Sequence, residues 1–141
     1  MEIQDAMSEP GGLNAHIGGK RLVFVTQRPA SVARHAALLS DLGHSVALAE
    51  TVAEAFASAR SCTPDVVFVD IRTALPSPVE VIRKIKAEPR LAAAPVVLLA
   101  SFDALSEIEK GLLEGACDYL VIDETTPAAM ARQMPIWERP A

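Results

Sequence analysis

The sequence predicts an α/β protein built on a five-stranded parallel sheet with helices on both faces. Short runs rich in Val, Ile and Leu alternate with segments of helical pattern along the chain. Three of these runs are almost continuously apolar, which is typical of strands buried on both faces of a parallel sheet. Right-handed crossovers between five such units favour the strand order 2-1-3-4-5. The predicted strands are Leu22–Val25, Val46–Ala49, Val66–Val69, Val96–Ala100 and Tyr119–Ile122.

Five helical segments follow the strands in turn, which gives five βα units. Each segment has either an apolar stripe at helical spacing or a start or stop signal. The first, at 31–42, stops before Gly43, and the last begins at Thr126-Pro127 and is predicted to end at Pro135. The other three are marked by "TVAE" at 51–54 and "SEIE" at 106–109, interpreted as capping boxes, and by the apolar stripe Val79, Ile82 and Ile85.

The length of 141 residues is that of one compact domain. We expect a flexible N-terminal tail at 1–19, the domain at 20–134 and a C-terminal tail at 135–141. The net charge of −5, with scattered basic residues, argues against a nucleic-acid or anionic-membrane surface. The longest apolar run, at 94–100, is too short to span a bilayer. Cys62 and Cys117 form no CxxC motif, so a cytoplasmic protein with reduced thiols and no metal site is expected.

Asp70 is the residue that points to a site. It follows four apolar residues at the end of the third strand, in "VVFVDIRTALPSPVE" at 66–80. In a sheet of order 2-1-3-4-5, ligands bind at the carboxyl ends of the strands, in the crevice between strands one and three. An Asp after a strand also commonly forms a turn, so position alone favours a site only slightly. The strand ends bring to the same crevice Thr26, Gln27, Arg28, Ile71, Arg72, Ala100, Ser101, Ile122 and Asp123.

Four segments resemble, in their order and separation, the receiver domain of two-component response regulators. They are "RLVFVTQRP" at 21–29, "PDVVFVDI" at 64–71, "PVVLLAS" at 95–101 and "EGACDYLVID" at 114–123. The resemblance runs from about Lys20 to Met134 and implies a flavodoxin-like doubly wound sandwich with five helices. It places Asp70 at the family's phosphoacceptor position and Tyr119 at its aromatic switch position.

The other active-site positions that the resemblance implies are not kept in this chain. Thr26 and Gln27 stand where the family has two acidic residues that hold Mg²⁺. Ala100 stands where the family has the Thr or Ser that hydrogen-bonds the phosphoryl group, and Ile122 where it has Lys. Ser101 lies one residue late, and a one-residue shift would reverse every side chain of the strand, so we do not expect it to substitute. These losses predict a degenerate receiver.

The formal charges predict weak or absent Mg²⁺ binding, and no motif in the sequence indicates another cofactor. Mg²⁺ prefers carboxylate oxygens, and only Asp70 supplies one here. Arg28 and Arg72 are expected nearby and would repel a divalent cation. Arg28 either pairs with Asp70 in place of the metal or lies exposed on a loop, and we favour the second.

Together these features predict a stand-alone degenerate receiver in a two-component or phosphorelay pathway, without enzymatic activity. It would act through contacts with a histidine kinase, a phosphotransfer protein or an output protein, or as a homodimer, and not with nucleic acid or a membrane. The expected interaction face includes Ile108, Leu112, Tyr119 and Met130. Two alternatives stay open. In the first, Asp70 is a working phosphoacceptor with unorthodox ligands, and in the second, the altered crevice senses a small anionic ligand.

Overall fold

The computed structural model describes residues 19–59, 63–74 and 77–137. Within these ranges the chain forms one five-stranded parallel sheet whose strands, numbered along the chain, lie in the order 2-1-3-4-5, which confirms the predicted topology. The strands are β1 (Arg21–Val25), β2 (Ser45–Ala49), β3 (Val66–Asp70), β4 (Val96–Ala100) and β5 (Asp118–Val121). The helices are α1 (Ala33–Asp41), α2 (Val52–Ser58), α3 (Pro78–Ala87), α4 (Pro89–Ala92), α5 (Leu105–Leu113) and α6 (Pro127–Trp137). The described residues thus form six helices instead of the predicted five, and the short α4 is the additional one.

The core has two layers because alternate side chains of each strand point to opposite faces of the sheet. On one face, Val67 and Val69 of β3 lie in a cluster with buried residues of α2, α3 and α5. On the other face, Val66 and Phe68 lie in a cluster with residues of α1 and α6. All five positions of β3 and of β4 are buried, which explains why their sequences read as continuous apolar runs.

Local signals set most helix ends as expected. Thr51 caps α2 by accepting a hydrogen bond from the backbone N–H of Glu54 at 3.1 Å. Thr126 accepts one from the backbone N–H of Ala129 at 3.0 Å, so the last helix starts where the sequence predicts. Gly43 and Gly115 follow α1 and α5 with φ of 101° and 125°, a conformation that favours glycine.

The interpretation of "SEIE" at 106–109 as a capping box is wrong. Helix α5 begins at Leu105, its N-cap is Ala104, and no side chain caps it. The turn before it sets the start, because the carbonyl of Ser101 accepts from the N–H of Ala104 and the carbonyl of Ala104 accepts from that of Ile108. Ser106 therefore lies inside the first turn.

The predicted end of the last helix at Pro135 is also wrong. Helix α6 continues to Trp137, so residues 135–137 belong to the folded domain, whereas 138–141 lie outside the described residues. Trp137 is 3% exposed, stacks edge-on against Phe68 at 5.4 Å between ring centroids, and donates from Nε1 to Asp118 Oδ2 at 2.8 Å. This packing holds the final turn although Pro135 offers no backbone N–H.

Further expectations concern the N-terminal tail, the cysteines and the membrane. Residues 1–18 of the predicted N-terminal tail, and Cys62, lie outside the described residues. In the part of the chain that is described, no helix is both long and apolar enough to cross a membrane.

Candidate functional site

Asp70 ends β3 at the centre of the sheet, between β1 and β4. The register pairs Val25 with Val69, so Thr26 and Asp70 continue side by side at the carboxyl edge. The Asp70 side chain is 0% exposed. A buried carboxylate is costly unless hydrogen bonds and an opposite charge compensate for lost water.

Arg72 supplies that opposite charge. Its Nε donates to Asp70 Oδ1 at 2.8 Å and its Nη2 donates to Asp70 Oδ2 at 2.9 Å. The backbone N–H of Arg72 also donates to Oδ1, at 3.1 Å. The pair is thus a two-point fork between a guanidinium and a carboxylate, the strongest common geometry for such groups.

Thr26 completes the set of hydrogen bonds around the carboxylate. Its Oγ1 donates to Asp70 Oδ2 at 2.7 Å and accepts from the backbone N–H of Arg28 at 3.0 Å. Thr26 itself is buried, at 1% exposed. Each Asp70 oxygen therefore accepts two hydrogen bonds. Thr26 is uncharged, so it contributes a hydrogen bond to the carboxylate and no counter-charge.

The outer side of the Arg72 guanidinium reaches two other loops. Nη2 donates to Ser31 Oγ at 2.9 Å, and Nη1 lies 3.6 Å from Asp123 Oδ1. The hydrogen bonds to Asp70, together with the charges of Asp70 and Asp123, raise the pKa of Arg72 above its ordinary value despite partial burial. Arg72 consequently stays charged and ties the loops after β1, β3 and β5 together.

Gln27 and Arg28 do not reach the carboxylate. The Gln27 side chain donates from Nε2 to the backbone carbonyl of Glu50 at 3.0 Å, on the side of β2. Arg28 is exposed, and its side chain makes no ion pair with any described residue. The hypothesis that Arg28 pairs with Asp70 is therefore wrong, and the favoured exposed position is the observed one. Arg72 takes the place that the hypothesis gave to Arg28.

The ends of β4 and β5 bring no polar side chain to Asp70. Ala100 is 0% exposed at the last position of β4, and its register with Val121 contains no shift that would exchange it with Ser101. Ile122 follows β5 instead of ending it, in a short 3₁₀ turn, and is 3% exposed in the core with α6. Both residues contribute packing only.

The predicted interaction face is only partly a surface. Ile108 and Met130 are 5% and 0% exposed, because they are the core-facing residues of α5 and α6, so their assignment to this face is wrong. Leu112 and Tyr119 are exposed as expected. Other large apolar residues near that face are more exposed than these two, namely Phe102, Leu105 and Leu113 at 78%, 65% and 87%.

Comparison with known proteins agrees with this architecture. The family model described as "Response regulator receiver domain" matches residues 23–128. Protein PilH of Pseudomonas aeruginosa is 31% identical over 108 residues, which cover 75% of this chain and 89% of PilH. A gliding motility regulatory protein of Myxococcus xanthus is 30% identical over 112 residues, which cover 79% of this chain but only 14% of that much longer protein.

Among solved structures, one similar fold is the receiver domain of sensor histidine kinase PA1611 from P. aeruginosa, crystallised with a magnesium ion coordinated in its active-site cleft. It aligns with a TM-score of 0.70 at 24% identity and covers 85% of this chain and 98% of that one. At this identity the likeness concerns the fold alone.

Proposed function

The chain belongs to the response regulator receiver domain family, and we propose that within two-component signalling it acts as a pseudo-receiver. In this proposal the buried ion pair between Asp70 and Arg72 holds the site in one state, without phosphorylation. The signal is then carried by protein–protein contacts. The observation that supports this best is the two-point contact of the Arg72 guanidinium with both oxygens of Asp70.

Phosphorylation would require a free Asp70 oxygen to attack a phosphorus atom in line with its leaving group. Both oxygens already accept two hydrogen bonds each, from Arg72 and Thr26. Charge-assisted hydrogen bonds of this kind each contribute about 1.5–3 kcal/mol. Attack would therefore need at least part of the fork to open first, which leaves the nucleophile rarely available.

The residues around Asp70 do not fit Mg²⁺. The ion needs near-octahedral oxygen ligands, usually including one or two carboxylates. Here the neighbours of the buried Asp70 carboxylate are the hydroxyl of Thr26 and the guanidinium of Arg72. The guanidinium Nε lies 2.8 Å from Asp70 Oδ1 and occupies the position where a metal cation would bind. Among the described residues, no group of three or more His, Cys, Asp or Glu side chains is placed to hold a metal ion. The residues of this site therefore do not support phosphorylation that depends on Mg²⁺.

The two alternative functions gain less support from the same geometry. A working phosphoacceptor lacks a hydroxyl at Ala100 and an ammonium at Ile122, so a phosphoryl group would be neither clamped nor sensed there. A sensor of small anions needs an available cation close to the carboxylate crevice. The guanidinium of Arg72 is already bound to Asp70, Ser31 and Asp123, and the exposed side chain of Arg28 does not reach Asp70. We place the function in contacts with other proteins instead.

The contact surface that we propose lies on and around α5, where Leu105, Leu113 and Tyr119 are exposed. Its partners would be a histidine kinase, a phosphotransfer protein, an output protein or a second copy of the chain. No enzymatic step belongs to this proposal, and we expect the protein to work in the cytoplasm.

Intact-mass spectrometry after incubation with acetyl phosphate and MgCl₂ tests the proposal. The wild type should gain no phosphoryl adduct under conditions that phosphorylate an active receiver run in parallel. A stoichiometric adduct that disappears in Asp70→Asn would overturn it. A gain-of-function variant combines Thr26→Asp, Gln27→Asp and Arg72→Ala. It introduces two acidic ligands and removes the guanidinium, so it should take up more phosphoryl group than the wild type.

A further inference from the structure

A cavity of about 500 Å³ lies beside the Asp70 site and does not include it. It sits between α2 and α3, under the carboxyl ends of β1 and β3. Thr26 and Thr73 line both the cavity and the surroundings of Asp70, whereas Asp70 and Arg72 do not line the cavity. Its volume falls in the range of pockets that bind small molecules, about 300–1,000 Å³.

The interior of the cavity is mainly apolar. Val25, Val69 and Val81 contribute buried side chains, and Val52 and Phe56 of α2 contribute half-buried ones. Such a lining favours a ligand with an aromatic or aliphatic body, because binding removes apolar surface from water on both sides.

The charged residues that line the cavity are Glu50, Lys84 and Glu88. Their formal charges add up to −1, and none of them forms an ion pair with another described residue. Glu50 and Lys84 are exposed and Glu88 is half-buried, so the rim of the cavity carries an excess of one carboxylate in contact with water. This excess favours a cationic group over an anionic one at the rim, by a small margin because water and salt screen exposed charges.

We propose that this cavity binds a small, largely apolar molecule that carries one positive charge, of the chemical class of arylalkylamines, in which a protonated amine is joined to an aromatic ring through an alkyl carbon. The proposal goes beyond the pseudo-receiver function and does not depend on whether Asp70 is phosphorylated. Binding would affect the Asp70 site through two residues that line the cavity. Thr73 Oγ1 accepts a hydrogen bond from the backbone N–H of Gln27 at 3.0 Å, and Thr26 Oγ1 donates one to Asp70.

The test is an amide NMR titration with 1-naphthylmethylamine as the cationic probe and 1-naphthaleneacetate as its anionic counterpart. The matched variants are Ala53→Trp, at an exposed residue that lines the cavity, and Ala57→Trp, at an exposed residue of the same helix that does not. Circular dichroism melting confirms that both variants fold.

We expect saturable one-to-one binding of the amine, with shifts concentrated at residues of α2 and α3. Ala53→Trp should weaken it at least tenfold and Ala57→Trp by less than twofold. The amine should bind more tightly than the carboxylate, and Glu50→Gln should reduce that preference. Shifts that do not saturate, or equal effects of the two Trp variants, would overturn the site. Tighter binding of the carboxylate would overturn the ligand class.

Discussion

The guanidinium of Arg72 and the carboxylate of Asp70 face each other across two hydrogen bonds of 2.8 and 2.9 Å, although only one residue separates them in the chain. The turn after β3 makes this possible, because the backbone N–H of Arg72 also donates to Asp70 Oδ1. The carboxylate that the fold places at its functional crevice is thus neutralised by its own loop.

A double-mutant cycle at Asp70 and Arg72 should reveal strong coupling. Arg72→Ala leaves a fully buried carboxylate without a counter-charge and should lower the free energy of unfolding by about 2–4 kcal/mol. Asp70→Asn should cost about 1–3 kcal/mol, and the double variant less than the sum of the two. Urea denaturation measures all three. Arg83→Ala, which breaks the exposed ion pair with Glu114, is the control and should have little effect. Additive losses would show that Asp70 and Arg72 contribute to stability independently and that their ion pair adds no coupling energy.

Trp137 should anchor the last helix. Trp137→Ala removes a buried indole that contacts Phe68 and Asp118, and it should lower the free energy of unfolding by about 3–5 kcal/mol. Ile136→Ala, at a 70% exposed neighbour, should change it by less than about 0.5 kcal/mol. Trp137 is the single tryptophan of the chain, so its fluorescence should be blue-shifted in the native state and move to the red on unfolding. A native spectrum typical of exposed tryptophan would contradict this packing.

Gly115 should be intolerant of a side chain. Its φ of 125° is one that other residues rarely adopt, and an added Cβ would meet Lys86 Cε at 3.2 Å. We expect Gly115→Ala to destabilise the protein by about 1–3 kcal/mol in thermal or urea unfolding. Leu113→Ala, two residues earlier and 87% exposed, is the control and should be nearly neutral. Equal stability of the two variants would show that the turn into β5 can relax.

The exposed apolar residues of α5 should matter for association and not for folding. Leu113→Ser should leave the melting temperature nearly unchanged, since the side chain is 87% exposed. If the partner is a second copy of the chain, Leu113→Ser should also weaken self-association at least tenfold in sedimentation experiments. Leu42→Ser, at an exposed residue just after α1, should leave self-association unaltered. If the two variants behave alike, the contact surface lies elsewhere.

The strands could be predicted because a strand that is buried on both faces has a continuous run of apolar residues, as at Val66–Val69. Helix ends were harder. The start of α5 depends on the hydrogen bonds of the preceding turn, and the end of α6 depends on the long-range packing of Trp137 against Phe68. At the start of α5 one local interaction replaced another, and at the end of α6 tertiary packing outweighed the local signal of Pro135.

The ion pair at the site could not be derived from spacing alone, since Arg28 and Arg72 were both expected near Asp70. One signal could have favoured Arg72. An Asp whose side chain accepts from the backbone N–H two residues later forms a common turn, which draws the later residue towards the carboxylate. The direction of the Arg72 side chain depends in addition on Ser31 and Asp123, which lie far away in the sequence.

Amide NMR spectra recorded with millimolar Mg²⁺, and then with Mg²⁺ and beryllofluoride, show whether Arg72 occupies the place of the cation at Asp70. We expect no localised, saturable shifts at Thr26, Asp70, Arg72 or Tyr119 in the wild type. Saturable shifts at these residues would show that the pocket still accepts a metal ion and a phosphoryl analogue, and would contradict the pseudo-receiver function.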